Sequence, residues 1–528
     1  MKEAEQVPFS RCGIWRSHRE FFVAEGISAW NGRVPFYVTS NPYLAHAYAT
    51  IIVRFLQDRR AAGGPVEGPA LVLELGAGTG AFSYQVLRCL VELTGAVPDL
   101  AADLCYVMSD ISERNLDFWS SHPAFAPFLE QGLLDFAFFD VESSGRLDLR
   151  VSQRVVERRP GQPAPPLVVI ANYVFDAVPP DFFRLEDGRL SEVLVPESLT
   201  LPPNEEANAS FEITRIDGSR WHGVAEPRYA PESVDRVLRD CAASQIEGGF
   251  LFPAAALGCL ARLRETIAHE ILLLVADKGI LAPASIPEAS RLTLGLHGGC
   301  ASSLLDFYAL ECFARSQGGD AYTCQTEGIV TAAYSLGAEF SELPETRLAL
   351  AQFLGVFNPG YLYDVVHYFQ ASKPGARLET LIALLELTLW DPYVVDQFFD
   401  VLLASLPYAG SYGIGKLSEN LHRVADNFFY LPSAPDTFFQ LGVLLQEMQH
   451  HDEALRAYEA SLSWFGEVAG TLYRMGQCCH ALRRVDDAVG WFRRALQQRP
   501  DFVEARGWIA QIEEDRREER HVDESGHP

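Results

Sequence analysis

The sequence predicts an α/β fold, a doubly wound Rossmann-like sheet, followed by an all-α domain built from helical repeats. Three observations predict it. The first is the stretch Leu71-Val72-Leu73-Glu74-Leu75, which runs directly into Gly76-Ala77-Gly78-Thr79-Gly80. It continues with Phe82, Val86, Leu87 and Leu90 at helix spacing. The second is a set of further apolar runs that each end in polar residues. The third is a repeat of 34 residues beyond residue 435.

Strand, glycine turn and helix form the opening unit of a nucleotide-binding domain. The glycines allow a sharp turn and keep Cβ atoms away from a ligand lying against the loop. The following helix start offers unpaired N–H groups and a positive dipole end. Two cofactor classes use such a loop. A dinucleotide fold wants G-x-G-x-x-G/A, which Gly76, Gly78 and Ala81 satisfy. The acidic Glu74 two residues before the first glycine, with the alternating glycines, resembles motif I of class I S-adenosylmethionine (SAM) methyltransferases. That resemblance implies SAM as the cofactor and a class I methyltransferase sheet, with the loop against a methionine moiety and a ribose.

Length and composition bound the rest. A chain of 528 residues predicts two or three domains, and 48% hydrophobic residues supply large cores. A formal net charge of −27 argues against non-specific nucleic-acid or anionic-membrane binding. Ten cysteines are scattered with no C-x-x-C and no zinc-ligand spacing, so no metal site is expected. Adjacent Cys478 and Cys479 read as helix filler rather than a redox pair. No stretch is apolar for long enough to span a membrane, and a reducing cytoplasm is the expected location.

Taken in order, Asn31-Gly32 reads as a turn, and Pro42 opens a helix capped by Asn41 with Leu44, Tyr48, Ile51, Ile52 and Phe55 on one face. That helix covers the core. Tyr37, Thr39 and Ser40 before it could form a polar lip over the cofactor. Leu104–Asp110 is the second strand. Its terminal Asp110 suits ribose hydroxyls, with Ile111 beside it, or the N-cap of a helix from Ser112, and both can hold. Leu134–Phe139 is the third strand. Asp140 and Val141 after it suit the adenine amino group and its flat face, or a simple strand-end turn. Leu167–Ala171 is the fourth, ending in Asn172-Tyr173-Val174-Phe175-Asp176-Ala177-Val178-Pro179. Strands ending in polar residues on one edge align those residues along the carboxyl end of a parallel sheet.

The Asn172–Pro179 segment resembles the motif after the fourth strand of the MidA-like methyltransferases, the family of the mitochondrial complex I assembly factor that methylates a protein arginine. Members typically read Asn-Glu-x-x-Asp-Ala-hydrophobic-Pro there. Phe36–Ser40, Phe183-Arg184, the Asp187-Gly188 hairpin, Leu272–Gly279, and His297 with Asp306-Phe307 match in the same order, over about residues 35 to 335. The resemblance implies a protein side chain as methyl acceptor, arginine or another nitrogen or oxygen nucleophile. One departure stands out: Tyr173 occupies the position of the family's usual Glu. A guanidinium wants carboxylates at close range, which Asp176, Asp181 and Asp277 could still supply.

Between the fourth and fifth strands, residues 178–265 form an insertion. Asp187-Gly188 predicts a hairpin and Phe211–Ile216 a strand. Such an α+β insertion is placed to act as a substrate lid or to be a decorative hairpin. Leu272–Gly279 predicts the fifth strand and Gly328–Leu336 completes the sheet. The first domain is therefore expected to span 1–340. Residues 341–430 are helical, with Leu378–Trp390 and Tyr393–Leu406 as apolar helices and degenerate repeats as one reading. In 435–514, Phe438, Leu441, Gly442, Leu445, Ala454 and Tyr458 align with Leu472, Met475, Gly476, Cys479, Ala488 and Phe492. This resembles tetratricopeptide (TPR) repeats, which implies a groove for a peptide or protein partner, or a structural buttress. A trailing helix is expected over Val503–Glu514, and 515–528 as a polar, frayed tail.

The reading that follows is a SAM-dependent methyltransferase. Glu74, Gly76, Gly78, Thr79, Gly80, Asp110, Ile111, Asp140, Val141 and Asn172 are the candidate cofactor residues. Tyr173 and Asp176 are the candidate catalytic residues, with His297 as a further residue facing the acceptor. A catalytically silent scaffold acting through the repeats, and a dinucleotide-dependent oxidoreductase, are the alternatives. A thermal-shift comparison of SAM with NAD separates the last of these.

Overall fold

The computed structural model describes all residues except 1–4, 31–39, 64–68, 96–103, 159–163, 201–208, 226, 245–246, 283–286, 327–328, 372–376 and 526–528. Tyr37 and Thr39 of the expected polar lip lie outside the described residues. The chain divides into two compact units, Met1–Tyr363 and Asp364–Pro528.

The first unit opens with β1 (Gln6–Pro8) and helix α1 (Gly13–Glu25), then α2 (Pro42–Ala61), whose N-cap Asn41 accepts from Leu44 N as expected. The sheet strands follow: β2 (Ala70–Glu74), β3 (Leu104–Asp110), β4 (Leu134–Phe138) and β5 (Leu167–Asn172). Helix α3 (Ala81–Gly95) follows β2, and α4 (Glu113–Ser121) follows β3. The insertion supplies β6 (Asp181–Glu186), β7 (Arg189–Pro196), β8 (Ala209–Glu212), β9 (Arg220–Gly223), α5 (Glu232–Ser244), β10 (Gly248–Phe252) and α6 (Ala254–Thr266). Then come β11 (Ile271–Asp277), β12 (Thr293–Leu296), α7 (Phe307–Ser316), β13 (Asp320–Gln325) and β14 (Val330–Leu336).

Seven strands form the main sheet in the order β13-β14-β11-β5-β2-β3-β4. All run parallel except β14, which lies antiparallel between β11 and β13. Residues of β2, β3, β5, β11 and β14 are almost wholly buried, which fits their continuous apolar runs: the sheet is covered on both faces. The order reverses between β2 and β5. A crevice opens at the carboxyl ends of the strands at such a reversal.

The insertion folds as a separate antiparallel sheet in the order β1-β7-β6-β10, with β9 also on β7. Asp187 (φ 49°) and Gly188 (φ 69°) make the expected two-residue hairpin turn. Phe211–Ile216 is not one strand. The strand ends at Glu212 and Ile213–Arg215 form a single 3-10 turn. Buried Ile213 turns inward there, so the alternation that predicted a strand serves a turn instead. The edge strand β13 was not expected from the sequence. Helix α8 (Pro344–Leu350) closes the unit. The Asp58 carboxylate of α2 accepts from Glu345 N (3.1 Å), Thr346 N (2.8 Å) and Thr346 Oγ1 (2.7 Å), satisfying the free amides of its first turn.

The second unit is helical. It holds α9 (Leu378–Leu387), α10 (Pro392–Ser405), α11 (Ser411–Asn427), α12 (Thr437–Glu447), α13 (His451–Phe465), α14 (Ala469–Ala481), α15 (Val485–Gln498) and α16 (Val503–Ser525). The 34-residue period has a visible cause. A Cβ at Gly442 would collide with the Tyr458 ring, and one at Gly476 would stand 2.5 Å from Phe492 Cε1. Glycine thus lets each helix meet the aromatic of its partner. The turns repeat as well. Gln449 (φ 68°) and Arg483 (φ 63°) are left-handed, and the next residues, His450 and Arg484, donate back to Leu445 O and Cys479 O. Leu389 (φ 55°) with Trp390 N→Leu385 O makes a similar turn between α9 and α10, differing in that Trp390 (φ 62°) is left-handed as well. Helix α16 runs on to Ser525, so the polar tail expected from 515 is helical. Its first turns bury Ala505 and Ile512, and the Glu- and Arg-rich sequence from 515 onward carries high helix propensity.

Candidate active site

The five central strand ends bring their terminal residues into one row. Across β4-β3-β2-β5-β11 these are Asp140, Asp110, the glycine turn, Asn172–Asp176 and Asp277-Lys278. At about 4.8 Å per strand the row spans about 19 Å, the reach of an extended nucleoside with an amino-acid arm. One cavity lies along it, lined by Glu74, Gly76, Gly78, Thr79, Asp110, Ile111, Asp140, Val141, Asn172, Tyr173 and Asp176, with His297 among the remaining lining residues.

The three glycines all have positive φ: 59° at Gly76, 55° at Gly78 and 80° at Gly80. A Cβ on any of them would crowd a neighbouring side chain. An added Cβ would lie 3.0 Å from Val174 Cγ2 at Gly76 and 3.0 Å from the Trp30 ring at Gly78. At Gly80 it would meet Met108 Cε at 3.0 Å and Trp119 Cδ1 at 3.1 Å, and Gly80 does not line the cavity. Val174 and Trp30 themselves line the cavity with Gly76 and Gly78, so the glycines there permit the turn and its close packing at the cavity wall, whereas Gly80 serves packing away from it.

Asp110 anchors this turn. Its Oδ2 accepts from Gly78 N (3.1 Å) and Asn115 Nδ2 (2.9 Å), and its Oδ1 from Ser112 N (2.9 Å). Ser112, not Asp110, is the N-cap of α4. Burial raises the Asp110 pKa. Glu74 accepts from Ser83 Oγ (2.5 Å) and Tyr106 OH (2.7 Å), and burial pushes its pKa up to about 7. Thr79 Oγ1 accepts from Ala81 N at the start of α3.

At the β4 end, Asp140 accepts from Arg19 (2.8 Å), Ser143 Oγ (3.0 Å) and Glu142 N (2.9 Å). Burial pushes its pKa up, but Arg19 and these donors outweigh burial and hold it below the usual carboxylate range. Val141 is buried, and its carbonyl accepts from Arg262 at 2.5 Å.

At the β5 end, Asn172 Oδ1 accepts from Tyr48 OH (3.0 Å) and Ala276 N (3.1 Å). Tyr173 is left-handed (φ 51°), and its N–H donates to Ala276 O (3.1 Å). Asp176 is 4% exposed and Asp277 wholly buried, and their carboxyl groups are close enough to influence each other's protonation. Asp277 Oδ2 accepts from Asp176 N (3.2 Å) and its Oδ1 from Lys278 N (2.8 Å). Burial pushes Asp176 up to about 7, against the opposing charge of Lys278. Burial and the neighbouring carboxylate raise Asp277 further. Two buried carboxyls in contact keep one proton between them.

His297 Nε2 lies 3.2 Å from Ser302 Oγ, and its buried Nδ1 has no hydrogen-bond partner among the described residues. Burial lowers its pKa to about 4, with Lys278 adding to the effect, so the ring is neutral at pH 7.

The remaining wall comes from an unexpected place. Trp15, His18, Arg19 and Phe22 of α1 line the cavity, with Trp30. Their i, i+3, i+4, i+7 spacing is a readable helix face. Its role was hidden because nothing in the sequence tells what that face covers. His18 Nδ1 accepts from Ala301 N (3.1 Å), and Arg19 joins Asp140, so α1 is tied on both sides of the cavity. No described residue between 180 and 265 lines the cavity. Among the described residues no group of His, Cys, Asp and Glu could hold a metal, and no helix is long and apolar enough to cross a membrane.

Residues 51–275 match the family described as "Putative S-adenosyl-L-methionine-dependent methyltransferase". Among solved structures the chain is similar to a likely methyl transferase from Burkholderia thailandensis bound to S-adenosyl-homocysteine. Identity there is 15%, over 60% of this chain and 74% of that one, with a TM-score of 0.35. An uncharacterized protein from the same organism gives 16% identity, the same coverages and a TM-score of 0.33. The CurJ carbon methyltransferase gives 12% identity over 54% of each chain and a TM-score of 0.25. No curated protein matches. The chain is a SAM-dependent methyltransferase, and SAM is its cofactor. The dinucleotide alternative falls with that assignment.

Proposed function

We propose that this enzyme is MidA-like and methylates a nitrogen or oxygen nucleophile on a protein side chain, recruited by TPR-type repeats in the helical unit. The observation that carries the reading is the Asp176–Asp277 carboxyl pair at the end of the row away from Asp140. The residues present fit the cofactor. Asp140 and Val141 suit adenine, Asp110 the ribose, and the glycine turn with Asn172 the methionine arm. Bound there, SAM supplies an electrophilic methyl on its sulfonium sulfur.

The chain's own residues do the rest. Asn172, fixed by Tyr48 and Ala276, shapes the floor between donor and acceptor. Tyr173, held in its left-handed conformation, and Asp176 face the acceptor. Asp176, with a pKa of about 7, is poised to take the proton released by the attacking nucleophile at neutral pH. Asp277 holds Asp176 in place through its backbone N–H and the shared proton. Holding the nucleophile in line at near-attack distance supplies most of the acceleration in such a transfer. Recruitment by the helical unit is supported by its two like hairpins, 34 residues apart, and by a similar turn between α9 and α10. The ten free thiols fit a cytoplasmic location.

The test uses the full-length enzyme, methyl-labelled SAM and protein extract from cells lacking it. Label should enter a protein band and survive in a methylated amino acid. Asp176→Asn should lower that labelling by about 10²-fold or more. Label confined to the protein-free fraction would refute a protein substrate.

A further inference from the structure

The acceptor end of the cavity carries a cation that no described carboxylate closes into an ion pair, although it acts on Asp176 through its charge. Lys278 directly follows Asp277 and lines the cavity. Its Nζ stands 5.9 Å from the centre of the Tyr173 ring, and among the described residues it makes no ion pair. Arg19 at the other end is the contrast, closed by Asp140 at 2.8 Å. The acid nearest in sequence to Lys278 has its oxygens engaged by backbone donors. Asp277 is wholly buried and spends its oxygens on Asp176 N and Lys278 N. Its partner Asp176 is engaged with it. His297, neutral beside the lysine, adds a polar atom without a partner among the described residues, Nδ1, in the same wall. An ammonium in a half-buried, aromatic-walled cavity attracts an anion far more strongly than one in water does.

We propose that Lys278 receives a carboxylate of a bound molecule. The inference rests on the methyl-transfer site described above and assigns it a charge preference. Two sources have this chemistry: the amino-acid carboxylate of the cofactor's methionine arm, or a carboxylate beside the nucleophile of the acceptor. The same charge disfavours a guanidinium acceptor, and Tyr173 in place of a glutamate removes one group that would have offset it.

Two binding measurements on the full-length protein separate the sources. The first compares S-adenosylhomocysteine with 5′-methylthioadenosine, which lacks the amino-acid arm, for wild type and Lys278→Met. If the lysine holds the cofactor arm, the variant loses about tenfold or more for S-adenosylhomocysteine and nothing for methylthioadenosine. The second loads the protein with S-adenosylhomocysteine and titrates benzoate, benzamide and benzamidine, which share a shape and differ in charge. If the lysine serves the acceptor, wild type binds them in that order and Lys278→Glu reverses it. Unchanged cofactor binding in Lys278→Met, together with no preference for benzoate that depends on Lys278, overturns the proposal. Failure of protein labelling with either binding effect present would instead overturn the protein-substrate reading and leave the role of Lys278 standing.

Discussion

Asp110→Ala tests whether one carboxylate both braces the glycine turn and holds the cofactor. Asp110 accepts from Gly78 N, Ser112 N and Asn115 Nδ2, all within 3.1 Å, and is 6% exposed. Alanine leaves three donors without their acceptor. An unpaired buried donor costs about 1–3 kcal/mol, and the adjoining cavity lets water reach part of the gap, so a total of about 3 kcal/mol is expected. A ribose hydroxyl bonded to a carboxylate is worth about 1.5–3 kcal/mol, so S-adenosylhomocysteine affinity should fall by about 10- to 100-fold. Asp110→Asn keeps the shape but turns one acceptor into a donor, and should fall between the two. Calorimetric titration gives the affinity. Urea unfolding gives the stability, read in whichever transition the ligand shifts, because the two units need not unfold together. A stability change under about 0.5 kcal/mol with unaltered affinity would refute the reasoning.

Two further predictions follow from packing and titration. Gly476→Ala drives a Cβ to 2.5 Å from Phe492 and should cost about 1–3 kcal/mol in the helical unit, whereas Gly470→Ala meets nothing within 4 Å and should be neutral or slightly stabilising by denaturant midpoint. The Glu74 carboxyl is pushed up to about 7, so the native state holds its proton more tightly than the unfolded chain, where glutamate ionises near about 4.3. Wild-type stability should therefore fall as pH rises from about 4.3 to about 7, and Glu74→Gln should lack that part of the fall; parallel stability–pH curves for the two would count against it.

Much of the first unit was legible because its signals are local. A run such as Leu71–Glu74 followed at once by a glycine turn reads as a strand buried on both faces, and three glycines at alternate positions mark the turn after it. Asn41 before Pro42 and Asp187-Gly188 between alternating residues are short-range chemistry of the same kind. The edge strand β13 carried no such signal. Asp320–Gln325 is half-buried, mixes polar and small residues, and pairs with β14 only because tertiary packing brings them together. The wall formed by α1 was hidden for the same reason: its helical face is plain in the sequence, but its docking partners are 121 and 283 residues away. At the site, the sequence showed the carboxylates but not the charge state that their mutual contact imposes on Asp176 and Asp277.

The placement of α1 has a consequence for how the enzyme comes into being. His18 is bonded to Ala301 across 283 residues, and Arg19 to Asp140 across 121. Once made, α1 must wait until about 280 further residues have been added before its second anchor exists, close to half a minute at about 10 residues per second. The sheet can assemble strand by strand during that time, but the cavity lacks a wall throughout. The wall is therefore completed in two stages, its Asp140 anchor first and its Ala301 anchor about 160 residues later.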